Sequence, residues 1–330
     1  MRRSDFTFVP ADLADVNAPD RAEPGGAAVH TGHRRLVGEV LVATDGRAPA
    51  DAALAVAAAL ARRDQAPLRA IAVLEESVSR AAVLLHAVVP NYLERWRTDR
   101  LYARVHTQAL RVLGDTATAI TLAFGAPGRN VAGRAAADRA ALVVVGLGLR
   151  TPYARLFGDD TALDVVRAVT CPVLAVAATQ PTLPKRVLVA TDFTPASEAA
   201  AHAALGVIAD GGIVHLCHVE ADPDVFPVEA AEWRRVYERG ATALLAELRA
   251  QLTAPDSVTV STHVLAGDPA SALLKFAVEN GVDLVATGTR RLRPLARLAE
   301  GSVAARLLRD APCSVLVAPA TPTAARGSGA

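Results

Sequence analysis

The sequence predicts an α/β protein made of two tandem, doubly wound, mostly parallel five-stranded sheets, each a Rossmann-like α/β/α sandwich. Three observations carry this. The chain is written twice: Val40-Leu41-Val42-Ala43-Thr44-Asp45 returns as Val187-Leu188-Val189-Ala190-Thr191-Asp192, Ala141 to Gly146 as Asp283 to Gly288, and Cys171 to Val176 as Cys313 to Ala318. Three matches in one order at nearly one spacing indicate a duplicated domain. Within each copy, short apolar runs alternate with helix-period segments, the order that builds a parallel sheet. Several of those runs are apolar throughout, as strands covered on both faces are.

In the first copy, Glu39 to Thr44 is short, β-branched and ends at Asp45-Gly46, so it reads as a strand running into a turn. Ala50 to Arg63 carries Ala and Leu at helical spacing. Leu68 to Leu74 is a second strand, and Glu94 to Leu113 an amphipathic helix. Thr118 to Phe124, Leu142 to Val145 and Val173 to Val176 complete the strands, with helices over Arg129 to Arg139 and Ala162 to Ala168. The second copy repeats the order, with strands at Arg186 to Thr191, Ile213 to His218, Val258 to Val264, Leu284 to Thr287 and Ser314 to Ala318. The expected divisions are a flexible leader (1–34), domain 1 (35–178), a linker (179–184), domain 2 (185–320) and a flexible tail (321–330).

The formal net charge of +1 makes no electrostatic case for nucleic acid or an anionic membrane. Thirty-three of the 35 basic residues are Arg, but they pervade the whole chain, which points to coding bias. Three cysteines beside apolar runs fit a reduced, cytoplasmic protein better than a disulfide framework. The longest apolar stretches, such as Ala52 to Ala61, are about half of the ~20 residues a bilayer requires. Ser4 to Arg35 holds Asp, Pro, Gly and Glu where a signal peptide needs apolar residues.

In a doubly wound sheet, ligands bind beyond the carboxyl ends of the strands where strand order reverses, here the loops after the first and fourth strands of each copy. In the second copy the latter loop runs from Gly288 to Gly301-Ser302, where a helix begins. Free N–H groups and a helix dipole at such a start favour an anion. Arg290, Arg291 and Arg293 add positive charge, as they would on a solvated basic loop.

The element order, the Asp after the first strand, Gly267-Asp268-Pro269 after the third, and the ending Ala311-Pro312-Cys313-Ser314-Val315-Leu316-Val317 resemble the universal stress protein family in tandem two-domain form, over about Arg35 to Ala320. The resemblance implies a sensor or adaptor in stress responses that binds an adenine nucleotide, ATP with Mg2+, in members carrying Gly, two residues, Gly, nine residues, then Gly with Ser or Thr. Both copies depart from that pattern. The second has Arg291 for the middle Gly but keeps Gly301-Ser302; in the first, one residue separates Gly146 from Gly148 and nine more lead to Gly158, but Asp159 stands in place of the hydroxyl. A carboxylate there caps the helix and opposes a triphosphate.

Carried over residue by residue, the favoured second-copy set is Ala190, Thr191, Asp192, Val219, Gly288, Arg291, Gly301, Ser302 and Val303. The first-copy set is Ala43, Thr44, Asp45, Val73, Gly146, Gly148 and Gly158. Asp45 and Asp192 equally suit a turn or cap. The resemblance also implies that the fifth strands pair antiparallel into an intrachain pseudo-dimer; a homodimer and a protein partner are compatible with it. A nucleotide-free scaffold and a slow ATP hydrolase are the alternatives. There is no Gly-Lys-Ser or Gly-Lys-Thr phosphate loop and no metal-ligand spacing. His215 and Cys217 share one strand face and His218 the other, so only two could converge. No catalytic constellation emerges.

Overall fold

β1 (Val40–Ala43) is the seed of the first repeat: Val40 and Val42 enter one core, and Leu41 enters another on the opposite face. The computed structural model describes residues 36–75, 90–114, 118–147, 161–220, 230–289 and 302–320. A 3-10 turn (Ala48–Ala50) leads into α1 (Asp51–Asp64), followed by β2 (Leu68–Leu74), α2 (Pro90–Leu113), β3 (Ala119–Phe124), α3 (Pro127–Ala137), β4 (Leu142–Leu147), α4 (Thr161–Ala168) and β5 (Val173–Ala177). The second repeat supplies β6 (Arg186–Ala190), α5 (Pro195–Val207), β7 (Ile213–Glu220), α6 (Ala230–Gln251), β8 (Thr259–Ala266), α7 (Pro269–Glu279), β9 (Leu284–Thr289), α8 (Val303–Asp310) and β10 (Ser314–Pro319).

All ten strands form one sheet, in the order β3-β2-β1-β4-β5-β10-β9-β6-β7-β8. β1 pairs in parallel with β2 and β4, and β6 with β7 and β9, so strand order reverses at β1 and at β6. The halves join where β5 and β10 pair antiparallel, Leu174 opposite Leu316. This seam removes two edges that would otherwise be exposed. Two cores run along the faces. Val40, Leu142, Leu174, Val187 and Leu284 lie in the one that includes α1 residues; Leu41, Val143, Val173, Val285 and Val315 lie in the one that includes α3, α4, α7 and α8 residues. Alternation within fully buried strands produces both.

Hydrogen bonds add to the seam. Ser314 Oγ donates to Gln180 Oε1 at 2.6 Å and accepts from the Ala177 N–H at 3.1 Å. Arg63, at the end of α1, donates to the carbonyls of Gly206 (2.5 Å) and Ile208 (2.8 Å) at the end of α5 while chelating Asp64. A cation at a helix C-terminus satisfies carbonyls that have no partner within the helix.

Element boundaries differ from expectation where local chemistry intervenes. α3 starts at Pro127, two residues before the expected Arg129, because proline needs no N–H partner in a first helical turn. β7 reaches Glu220 and β8 reaches Ala266, beyond the expected His218 and Val264, since the pairing continues through Val219 with Leu265 and Glu220 with Ala266.

Candidate functional site

The loop after β1 is fastened at several points. Thr44 N–H donates to the Ile71 carbonyl at 3.0 Å, continuing the ladder past the strand. Its hydroxyl donates to Gln108 Oε1 at 2.7 Å and accepts from Gly46 N–H at 3.1 Å. Gln108 is fully buried on α2, and its amide donates to the Arg47 carbonyl at 3.1 Å and Asp51 Oδ1 at 2.8 Å. Gly46 has φ +76°, and a Cβ there would lie 2.8 Å from the backbone of Arg104 and Val105. Glycine thus serves both the left-handed turn and the close approach of α2.

Beyond the carboxyl ends of β1, β2 and β4 this loop bounds a cavity of about 580 Å3. Ala43, Thr44, Asp45, Val73 and Gly146 of the first-copy set line it. Gly148 and Gly158 lie outside the described residues. So do Arg291 and Gly301. Arg47, Glu75, Arg97, Arg104 and Thr161 also line the cavity and were not foreseen. Their signal was present: the long helix places Arg97 and Arg104 seven residues apart, on one face. Thr161 opens α4, whose positive end therefore borders the cavity. Asp45 takes the turn role, accepting from Arg47 N–H at 2.9 Å and facing the Arg47 guanidinium at 3.4 Å.

The second repeat treats the matching ground differently. Phe193 stands where the first repeat has Gly46, and it keeps a left-handed φ of +60°. By ladder register His218 matches Ala72, and by the buried pairs Leu101/Ala241, Val105/Leu245 and Gln108/Leu248 Tyr237 matches Arg97. The His218 ring meets both of the others. His218 lies 4.5 Å from Phe193 between ring centroids, its Nε2 is 2.7 Å from the Tyr237 hydroxyl, and its Nδ1 is 2.9 Å from the Thr191 carbonyl. Burial, with Glu220 nearby, raises the Tyr237 phenol above its usual range. Thr191 Oγ1 faces Ser197 at 3.1 Å, and Asp192 accepts from the Thr194 N–H and hydroxyl.

The remaining second-copy residues are placed as follows. A Cβ on Gly288 would meet the Ala196 carbonyl carbon at 2.3 Å, so this glycine admits the start of α5 against β9. Ser302 caps α8 by accepting from the Ala305 N–H at 3.2 Å, and Val303 behind it is half-buried. Val219 and Ala190 pack against the core that contains Leu188 and Cys217.

Of the His-Cys-His run, His218 points to the face opposite His215, as strand alternation requires. His215 Nδ1 lies 3.1 Å from His263 Nε2 and 2.9 Å from Ser261 Oγ, beside Phe276. Burial, then His263, then Arg186 hold His215 below its ordinary pKa, and burial does the same to His263. Cys217 is buried and its thiol is pushed up to about 12 by desolvation. Among the described residues no three His, Cys, Asp or Glu side chains gather as metal ligands, and no helix is long and apolar enough to cross a membrane.

A family model described as the Universal stress protein family matches residues 37–177 and 184–319. The chain belongs to the universal stress protein family. A curated relative, universal stress protein MJ0531 of Methanocaldococcus jannaschii, is 29% identical over 139 residues, covering 40% of this chain and 81% of that protein. A solved universal stress protein from Archaeoglobus fulgidus is similar with a TM-score of 0.59 at 17% identity, over 87% of this chain and all (100%) of that one. One from Pseudomonas aeruginosa UCBPP-PA14, described as putative, is similar with a TM-score of 0.53 at 16% identity, over 86% and 93% of the two chains. At these identities the structural likeness speaks for the fold of this tandem universal stress protein, and its function rests on the site.

Proposed function

We propose that this tandem universal stress protein is a sensor or adaptor in stress response that binds an adenine nucleotide, and that the cavity of the first repeat is the main site. The single observation that carries this reading is the space of about 580 Å3 at the strand-order reversal, a volume and a position typical of nucleotide sites in such sheets. Its lining suits the ligand. Ala43, Val73 and Val131 offer apolar contact for a base, Asp45 an acceptor for a ribose hydroxyl, and Arg47, Arg97, Arg104 and the α4 start a positive environment for phosphates. Mg2+ enters with the phosphates.

The sequence pattern favours the second repeat, through Gly301-Ser302. Two features weigh toward the first instead. In the second repeat Phe193, His218 and Tyr237 cluster beside the matching strand ends, where the first repeat has the cavity-lining Arg97, and the Ser302 hydroxyl is already engaged as a helix cap. The second-repeat residues serve chiefly to complete the sheet.

Thermal unfolding of the full chain with increasing ATP and Mg2+ tests the reading. A ligand bound only by the native state at a hundred times its Kd adds about 2.7 kcal/mol, so the midpoint must climb with ATP and stay put with an equal concentration of sulfate. A midpoint indifferent to ATP overturns nucleotide binding and leaves the scaffold role.

A further inference from the structure

The first-repeat cavity continues outward past the strand ends. A second hollow of about 380 Å3 is lined by Leu74, Trp96, Arg97, Arg100 and Arg104. Leu74, Arg97 and Arg104 line both spaces, so the two form one depression divided by a pair of guanidinium side chains. The three arginines follow one another at spacings of three and four along α2, which stacks them on one flank of the helix. Arg97 gives one N–H to the Glu75 carbonyl at 2.9 Å, and among the described residues no carboxylate pairs with Arg100 or Arg104. Trp96 remains 46% exposed, with the Arg100 guanidinium 4.7 Å from its ring centroid.

Each part of this arrangement has a cost without a ligand. Three like charges on successive turns repel, and the part of the indole that stays open to water beyond the Arg100 guanidinium gains nothing from its area. A phosphate chain answers the arginines, and an aromatic base answers the indole. Cationic side chains interleaved with an exposed aromatic ring are the standard equipment for a strand of phosphates followed by a base. A mononucleotide in the main cavity can use Arg97 and Arg104 but has no second base for Trp96 and Arg100.

We propose that the outer hollow is a second base subsite, and that the first repeat takes a dinucleoside polyphosphate. One adenosine sits in the main cavity, the phosphate chain passes between Arg97 and Arg104, and the second base stacks at Trp96 and Arg100. This rests on the reading of the main cavity as a nucleotide site.

Isothermal titration of the full chain at fixed salt with ATP, adenosine tetraphosphate and diadenosine tetraphosphate tests it, on wild type, Trp96→Ala and Arg100→Ala. Stacking of one base predicts that wild type binds the dinucleotide roughly tenfold more tightly than adenosine tetraphosphate, which has the same phosphates and no second base. Trp96→Ala should abolish that ratio while leaving the ATP Kd within about twofold, since the indole lies outside the main cavity. Arg100→Ala should reduce it. Equal affinities for the two tetraphosphates, or a ratio untouched by Trp96→Ala, overturns the second subsite alone if ATP still binds. Failure of all three ligands to bind overturns the main-cavity reading with it.

Discussion

Gln108→Leu isolates the device that holds the cavity rim. Leucine is close in volume to glutamine, and the second repeat carries Leu248 at the matching position, so the shape is acceptable to the fold. The chemistry is not. Thr44, 7% exposed, loses the acceptor for its hydroxyl at 2.7 Å, and an orphaned buried donor costs about 1–3 kcal/mol. The Arg47 carbonyl and Asp51 lose one donor each; Asp51 keeps both 2.7 Å bonds from Arg111, so these two losses are smaller, about 0.5–1.5 kcal/mol apiece. Burying the leucine side chain offsets part of the total. The expected net loss is about 2–3 kcal/mol by urea unfolding, with an unchanged m-value. Adding Thr44→Val removes the orphaned hydroxyl but also the acceptor of the Gly46 N–H at 3.1 Å, so the double variant should cost less than the sum of the two single ones. A loss below about 0.5 kcal/mol for Gln108→Leu, or strict additivity with Thr44→Val, would refute the reasoning.

Arg63→Ala leaves the Asp64 carboxylate, its side chain 3% exposed, without its cation and strips two donors from the α5 carbonyls. A loss of about 2–4 kcal/mol is expected in the same unfolding assay, less than for a fully buried pair because Arg63 is 28% exposed. Gly46→Ala forces a side chain onto the α2 backbone at 2.8 Å in a left-handed turn, and should cost more than the ~1–2 kcal/mol of the backbone strain alone and weaken ATP retention. Burial holds both His215 and His263 in the folded protein below the ordinary imidazole pKa. The unfolded chain therefore binds more protons, and their contribution is complete above about pH 6.5 and lost as pH falls through the folded values. Wild type should lose more stability between pH 7 and 5 than His215→Gln/His263→Gln, measured by urea titration at each pH. Cys217, with its thiol near 12, should react with a thiol reagent at pH 8 only as fast as the chain opens, and denaturant should accelerate it.

Much of the architecture was legible because it rests on local patterns. β5 and the alternation of strand and helix follow from uninterrupted apolar runs, and the β5–β10 seam follows from the resemblance, which the observed antiparallel pairing matches. The site was only half legible. Ala43, Thr44, Asp45, Val73 and Gly146 do come together, because strand ends converge wherever strand order reverses. The arginines of α2 escaped notice because chain-wide arginine usage masks a local cluster, and only the helix packing selects Arg97 and Arg104 from the rest. Phe193 escaped for another reason. A repeat alignment shows it replacing Gly46 but cannot show that its ring meets His218 from a neighbouring strand, which in turn stacks with Tyr237 from α6. Gly288 also looked like a phosphate glycine, whereas its missing Cβ makes room for Ala196.

Equilibrium dialysis of the full chain with ATP and Mg2+ decides which repeat holds the nucleotide, comparing wild type with Val73→Trp, which fills the first-repeat cavity, and Val219→Trp, its counterpart in the second repeat. The account predicts one ATP retained per chain by wild type and by Val219→Trp, and none by Val73→Trp. Retention by Val73→Trp together with loss in Val219→Trp would contradict it.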